Sequence, residues 1–134
     1  MAIVYTLEPA LTAAEFRAAL VASTLAVRRP VDEPERLERM LRHSDVIVTA
    51  RDGARLVGVS RAITDFAYCC YLSDLAVDVS YQHRGIGRRL VAETQRAAGE
   101  AAMLLLIAAP AAEGYYPKIG MKRVDSCWLI PRGR

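Results

Sequence analysis

A loop with two glycines, residues 82–87 (Gln-His-Arg-Gly-Ile-Gly), constrains this chain more than any other segment. It follows a strand-like run and opens a segment with helical periodicity, whose inner face carries Leu90, Val91, Thr94 and Ala98. Glycine permits a sharp turn and lets a ligand approach the main chain closely. The free amides of a first helical turn are donors for an anion. The segment is therefore predicted to be either a tight structural turn or an anion-binding loop.

The segments on both sides of this loop predict a mixed α/β domain. Strands are predicted at residues 3–7, 46–50, 56–63, 67–77, 103–107 and 126–130. Helices are predicted to begin at Thr12 and near residue 32, to run from the loop to Gly99, and to cover residues 111–119. Asp52-Gly53 indicates a hairpin turn, and the apolar strand at 103–107 is expected to be buried on both faces. The predicted order is βααβββαβαβ, in a single domain over residues 1–134.

Composition excludes several classes of protein. Hydrophobic residues make up 53% and charged residues 25% of the chain, which is typical of a globular domain. No apolar run approaches the roughly 20 residues that span a bilayer, and no signal peptide is apparent, so a cytoplasmic protein without a membrane partner is expected. The net charge of +3 is dispersed, which disfavours nucleic acid as a partner. The three cysteines lack metal-ligand spacing and are expected to be reduced and structural, with no metal site.

Two familiar phosphate-binding patterns do not fit the glycine loop. It lacks the Gly-Lys-Ser/Thr ending of a nucleoside triphosphate loop and the third glycine of a dinucleotide fingerprint. It also follows several antiparallel-looking strands rather than the first strand of a βαβ unit. The cationic side chains of Arg84, Arg88 and Arg89 cluster beside it. They are expected either to meet a small polyanion or, for the last two, to form a solvated helix face.

A family resemblance narrows these alternatives. Residues 75–77 (Leu-Ala-Val), followed by the loop and the helix it opens, resemble the cofactor signature of the GNAT superfamily of N-acyltransferases, Gln/Arg-x-x-Gly-x-Gly/Ala. Residues 115–121 (Tyr-Tyr-Pro-Lys-Ile-Gly-Met) resemble the family's aromatic-Tyr-x-x-x-Gly-Phe segment, with Met121 in the usual phenylalanine place. The motifs have the family's order, and the predicted elements match its fold. The resemblance implies an N-acetyltransferase that moves an acetyl group from acetyl-CoA to a primary amine of a small molecule or peptide.

The resemblance also implies which residues bind acetyl-CoA. The strand that contains residues 75–77 is expected to splay from its neighbour, so that its main chain binds the pantetheine arm. The amides of the loop are expected to bind the pyrophosphate. The implied cofactor-binding residues are Leu75, Ala76, Val77, Gln82, His83, Arg84, Gly85, Ile86, Gly87 and Arg88.

Two catalytic candidates follow from the same resemblance. Tyr116 matches the family's general acid for the CoA sulfur, and the alternative is a packing aromatic. Asp74 stands where some GNAT proteins carry a carboxylate that acts as a base through water. The alternatives for Asp74 are a turn cap or an ion pair with an arginine. A backbone amide near Ala76 is the expected donor to the thioester oxygen.

The acceptor is not identified by either motif. Its pocket is expected between the first two helices, residues 63–66 and the C-terminal strand, the parts that vary most in the family. A second hypothesis is a protein that binds acyl-CoA as a regulatory sensor without turnover, favoured by the lack of an obvious base. A homodimer that pairs through a strand edge is compatible with the sequence, which does not fix the oligomeric state.

Overall fold

The computed structural model describes residues 2–133, and its five strands form one sheet in the order β1-β2-β3-β4-β5. The strands are β1 (Ile3–Leu7), β2 (Val46–Asp52), β3 (Arg55–Thr64), β4 (Cys69–Val77) and β5 (Met103–Leu105). Strands β1 to β4 pair antiparallel, and β5 pairs parallel with β4. This mixed, mostly antiparallel sheet confirms the predicted fold class.

Three helices pack on the sheet: α1 (Ala13–Ala22), α2 (Pro34–Arg42) and α3 (Ile86–Ala98). The Thr12 hydroxyl caps α1 by accepting a hydrogen bond from the Glu15 amide at 3.1 Å, as the predicted capping box requires. Gly99 ends α3 with a φ of 91°. No helix within residues 2–133 is long and apolar enough to cross a bilayer.

The sheet separates two hydrophobic cores. Helices α1 and α2 cover one face, and α3 covers the other. The first core includes Phe16, Leu20, Leu37, Leu41 and Val59. The second core includes Val48, Leu72, Ile86, Leu90 and Val91. Because both faces of β2, β3 and β4 are covered, these strands form the buried centre of the fold, and the apolar surface removed from water there stabilises it.

The predicted strand at 103–107 is shorter and more exposed than expected. It is β5, three residues long, in which Met103 is 58% and Leu105 40% exposed. The expectation of burial on both faces was wrong because β5 lies at the edge of the sheet. An apolar run resembles a buried strand whether or not a neighbour covers it.

The last two predicted elements do not form as predicted. Where one helix was predicted over residues 111–119, the chain forms two short 3-10 turns, Pro110–Ala112 and Tyr116–Ile119. Pro117 has no amide hydrogen to donate within a helix, and Gly114 loses more backbone entropy in a helix than other residues do. A continuous helix is therefore disfavoured there. Residues 126–130 form no strand, because among the described residues they have no strand partner.

Neighbouring cysteines on β4 point to opposite faces, as expected for a strand. Cys69 is exposed, Cys70 is buried, and Cys127 is exposed near the C-terminus. All three are free thiols.

The turn between β3 and β4 depends on the carboxylate of Asp65. Its Oδ1 accepts hydrogen bonds from the amides of Ala67, Tyr68 and Cys69 at 2.9, 2.8 and 3.1 Å. These amides lower the pKa of Asp65 from 3.8 to about 2, because they stabilise the charged form.

We expect Asp65→Asn to destabilise the protein at neutral pH and to matter less in acid. A carboxylate with a lowered folded-state pKa contributes stability above its unfolded-state value of 3.8 and loses it as pH falls through about 2. Thermal unfolding of the wild type and of Asp65→Asn, at neutral pH and near pH 2, measures the difference in stability between them. A difference in melting temperature that does not change with pH would contradict the assignment.

Candidate active site

The glycine loop turns through two left-handed residues before α3 begins. His83 has a φ of 64° and Gly85 a φ of 79°. Gly85 is also the N-cap of α3, and it has no side chain that could accept a hydrogen bond from the first helical turn. The amides of the first helical turn have no acceptor inside the helix, and the helix dipole adds partial positive charge at this end. The structure therefore contains the glycine turn and the helix start on which the prediction of an anion-binding loop depends.

Polar contacts fix the loop to the end of β4. The Gln82 side-chain amide donates to the Val77 carbonyl at 3.2 Å. Asp78 accepts from the Ser80 amide at 2.9 Å and pairs with Arg55 at 2.9 Å. These contacts hold the start of the loop in a fixed position next to the end of β4.

Tyr81 organises the arginines at this end of the sheet. Its hydroxyl donates to Asp52 at 2.7 Å. The guanidinium carbon of Arg84 lies 5.1 Å from the centre of the Tyr81 ring, and that of Arg55 lies 5.0 Å from it. Both distances allow cation–π attraction. Arg84 is thus held beside the loop.

Arg89 turns away from the loop. Its Nε donates to Glu93 at 2.9 Å, and its guanidinium lies 4.6 Å from the centre of the Tyr5 ring. For Arg88 and Arg89 the sequence left two roles open, contact with a phosphate or a place on the solvated helix face. Arg89 takes the second role. Arg88, one position nearer the start of α3, stays a predicted cofactor-binding residue.

The strands β4 and β5 separate next to the loop. Their parallel pairing covers three positions, from Cys69 to Tyr71 on β4, whereas β4 continues to Val77. On the other side, Leu75, Ala76 and Val77 stay paired with β3. The β5-facing side of these residues has no strand partner within residues 2–133. This is the splay that the family resemblance implies.

Two adjacent tyrosines lie near the start of α3. The hydroxyl of Tyr115 lies beside the first turn of α3: burial raises the pKa of this phenol, and the nearby Arg88 amide offsets part of that rise. A Cβ on Gly87 would lie only 2.7 Å from that hydroxyl, so the missing side chain leaves room for the phenol. The rings of Tyr115 and Tyr116 meet edge to face, with centroids 5.4 Å apart. Burial raises the pKa of Tyr116 above 10.0, and Tyr115 adds to the rise. Tyr116 therefore stays a protonated phenol at neutral pH.

Asp74 lies on the opposite face of the sheet, fully buried among charged groups. Its two carboxylate oxygens accept hydrogen bonds from Nε of Arg29 and Nε of Arg61. The same arginines bind Ser73: Arg29 donates to its carbonyl at 2.8 Å and Arg61 to its hydroxyl at 3.0 Å. Ser73 is the residue at which the register of β3 and β4 shifts. The cluster therefore fixes the bulge where β4 leaves β5.

Comparison with known proteins now decides the family. Residues 19–127 match the model of the acetyltransferase (GNAT) domain. The chain belongs to the GNAT family of acetyltransferases. No protein with a curated description matches it.

Solved structures of GNAT proteins share the whole fold. A GNAT-family acetyltransferase of Streptococcus pneumoniae is 28% identical, with 99% of each chain covered and a TM-score of 0.81. A protein of unknown function from meticillin-resistant Staphylococcus aureus is 23% identical, with 98% of this chain and 99% of that one covered and a TM-score of 0.80. The aminoglycoside N-acetyltransferase AAC(6')-Iy, solved with CoA, is 15% identical, with 99% and 96% coverage and a TM-score of 0.75.

In this GNAT chain the predicted site residues fall into two groups. The start of α3, the Tyr115–Tyr116 pair and the side chains of Leu75 and Val77 lie on the α3 side of the sheet. The Ala76 side chain belongs to the core under α1 and α2, and Asp74, two residues earlier on the same strand, faces that side too. The contact of Tyr115 with the first turn of α3 was not predicted from the sequence. The sequence signal for this contact was Gly87, because a glycine in the first turn of a helix leaves room for another side chain to approach the backbone.

Proposed function

We propose that this GNAT chain is a CoA-dependent N-acetyltransferase that acts on a primary amine of a small molecule or peptide. One arrangement supports the proposal: the unpaired end of β4 is followed by a loop that opens a helix, and the N-terminus of that helix is suited to an anion. A thioester arm can hydrogen-bond the open side of β4 while its diphosphate meets the amides of α3. The solved complex of AAC(6')-Iy with CoA supports acetyl-CoA as the donor.

The cofactor roles follow residue by residue. We assign the pantetheine arm to the main chain of Leu75, Ala76 and Val77. The loop at 82–87 and the Arg88 amide take the diphosphate, with Arg84 adding positive charge. The Tyr115 hydroxyl lies against Gly87 in the same helical turn, so the diphosphate and this phenol are neighbours in the proposed complex.

Tyr116 is proposed as the general acid. The amine nitrogen attacks the thioester carbonyl, the carbon–sulfur bond breaks, and the departing thiolate takes the phenol proton of Tyr116. The acetylated nitrogen releases its proton to water, which restores the phenol. The raised pKa keeps Tyr116 protonated before the step, although it also makes the phenol a weaker acid.

Asp74 is proposed as a positioning residue rather than a base. Both of its oxygens already accept from arginines, and the side chain is fully buried. The carboxylate therefore holds the two arginines, and through them Ser73, in place. The amine is then expected to bind as its minor neutral form.

The hydrogen bonds from two arginines to Asp74 also favour the alternative function, an acyl-CoA sensor without turnover, because they leave the chain without an evident base. Release of free thiol from acetyl-CoA, followed with a panel of primary amines, separates the two functions. We expect at least one amine to give steady release over the hydrolysis background. Tight binding of acetyl-CoA with no release for any amine would favour the sensor, and no binding would remove both.

A further inference from the structure

Three large side chains form an apolar strip on the sheet face that α1 and α2 cover elsewhere. Ile63, Tyr71 and Leu105 stand opposite each other in register on β3, β4 and β5, so they lie on one face. That face is the α2 side, because Arg61, two residues before Ile63, donates to the hydroxyl of Ser44, just after α2, at 3.2 Å. The exposed fractions of the three side chains are 48%, 37% and 40%. The helices therefore leave this apolar strip partly open.

The apolar strip crosses the point at which β4 and β5 separate. Their pairing ends where Tyr71 stands opposite Leu105. The proposed function, on which this inference rests, assigns the pantetheine arm to residues 75–77, with its diphosphate at the loop that follows them. The thioester at the other end of the arm then lies toward Tyr71. An amine that attacks this thioester has to lie over the apolar strip.

Positive charge lies next to the apolar strip. Ser73 is two residues after Tyr71 on β4, and its carbonyl accepts from Nη2 of Arg29 at 2.8 Å. Arg29 and Arg61 share one carboxylate, that of Asp74, so the three side chains carry one positive charge in excess. A ligand group beside Tyr71 therefore meets surroundings that favour an anion.

Arg29 has donors left for such an anion. A guanidinium group has five N–H donors. Within residues 2–133, Nε of Arg29 donates to Asp74, Nη1 to the Arg28 carbonyl at 2.8 Å and Nη2 to the Ser73 carbonyl. The Arg29 side chain is 21% exposed, so a ligand reaches it from solvent. A carboxylate can accept from the N–H groups that remain.

The carboxylates at the other end of the apolar strip are bound to the main chain. Asp45 accepts from the amide of Thr64, the residue after Ile63, at 2.9 Å. Asp65 accepts from three amides of the turn between β3 and β4. The apolar strip itself contributes hydrocarbon and aromatic surface, which suits an apolar side chain.

We propose that the acceptor is a free amino acid with an apolar or aromatic side chain, and that Arg29 and Tyr71 select it. Its amine faces the thioester, its carboxylate binds the remaining N–H groups of Arg29, and its side chain packs on the apolar strip. The neutral amine attacks the thioester carbonyl and the carbon–sulfur bond breaks. The thiolate takes the proton of Tyr116, and the nitrogen releases its proton to water. The products are the N-acetylated amino acid and free CoA.

Thiol release from acetyl-CoA with matched amines tests the acceptor class. We expect kcat/KM for L-phenylalanine to exceed that for 2-phenylethylamine, which lacks only the carboxylate, at least about tenfold, because charge-assisted hydrogen bonds are lost. We expect an excess of about tenfold over L-alanine as well, which lacks the ring. A rate for 2-phenylethylamine equal to that for phenylalanine, or the polycation kanamycin as the better substrate, would overturn the proposal and leave the N-acetyltransferase function standing. Binding of acetyl-CoA without thiol release for any amine would remove both.

Two variants assign the selection to residues. Arg29→Gln should bring the ratio of kcat/KM for phenylalanine over 2-phenylethylamine close to one, because the charge is gone. Tyr71→Ser should reduce the preference for phenylalanine over alanine at least about fivefold. The controls are Arg96→Gln on α3, with a side chain 74% exposed, and Tyr68→Ser, 77% exposed, and both should keep the wild-type ratios. A loss of stability or turnover lowers the rates for both amines alike, so an unchanged ratio in Arg29→Gln would overturn its role.

Calorimetry with the acetylated products measures the same selection without turnover. N-acetyl-L-phenylalanine should bind the wild type at least about tenfold more tightly than N-acetyl-2-phenylethylamine, and Arg29→Gln should remove the difference. The wild-type comparison is decisive even if Arg29→Gln does not fold. Equal affinities of the two products for the wild type would overturn the proposal.

Discussion

Replacing Asp74 by alanine is expected to lower the free energy of unfolding by about 3–5 kcal/mol. Asp74 is 0% exposed, and its arginine partners are nearly buried, with side chains 7% exposed for Arg61 and 21% for Arg29. Removing the carboxylate leaves two guanidinium groups without their counter-charge in a region that water reaches poorly. The register shift at Ser73, which both arginines hold, should loosen with it.

Thermal and chemical unfolding measure this loss, and the melting temperature should fall by roughly 10 °C or more. Asp74→Asn keeps the shape and one acceptor, so it should lose less and remains measurable if the alanine variant does not fold. Asp32→Ala is the control, since Asp32 is 95% exposed and lies 3.9 Å from Arg17. It should change the free energy by under about 0.5 kcal/mol. A stable Asp74→Ala protein that has lost acetyl transfer would instead identify Asp74 as the base.

Replacing Tyr116 by phenylalanine is expected to lower kcat by about 100-fold while the affinity for acetyl-CoA stays the same. The departing thiolate then has to take its proton from water. General acids raise the rate by about 100-fold to 10,000-fold. A phenol is a weaker acid than a thiol, whose ordinary pKa is about 8.5, so we expect the lower end of this range for Tyr116. Burial widens that gap by raising the pKa of Tyr116.

The pH profile of kcat gives an independent reading. Wild-type turnover should fall in alkaline solution, above pH 10.0, as Tyr116 loses its proton. Tyr116→Phe should lack that alkaline limb. Tyr68→Phe serves as the control, because Tyr68 is 77% exposed in the turn between β3 and β4. An unchanged kcat and profile in Tyr116→Phe would assign Tyr116 to packing alone.

Local sequence signals predicted most of the fold. The first strand, the Thr12 cap of α1, the Asp52-Gly53 hairpin and the Gly99 end of α3 all depend on residues close together in the chain. The splay of β4 was also anticipated, from the family resemblance of residues 75–77 and the loop after them.

Features that depend on distant neighbours were not predictable. Strand β5 and residues 126–130 have strand-like composition, but whether they are covered depends on what lies beside the sheet edge. An ion pair with an arginine was one open alternative for Asp74. Nothing local indicates that Arg29 and Arg61, one on each side of the α2 segment, both reach it. The same holds for the contact of Tyr115 with α3.

The central claim is that the glycine loop binds the diphosphate of CoA, and calorimetry with two ligands tests it directly. S-acetylpantetheine carries the same thioester arm as acetyl-CoA but no diphosphate. Because several charge-assisted hydrogen bonds to the loop amides would be lost, we expect acetyl-CoA to bind at least about 100-fold more tightly. Equal affinities for the two ligands, or no binding of acetyl-CoA, would contradict the claim.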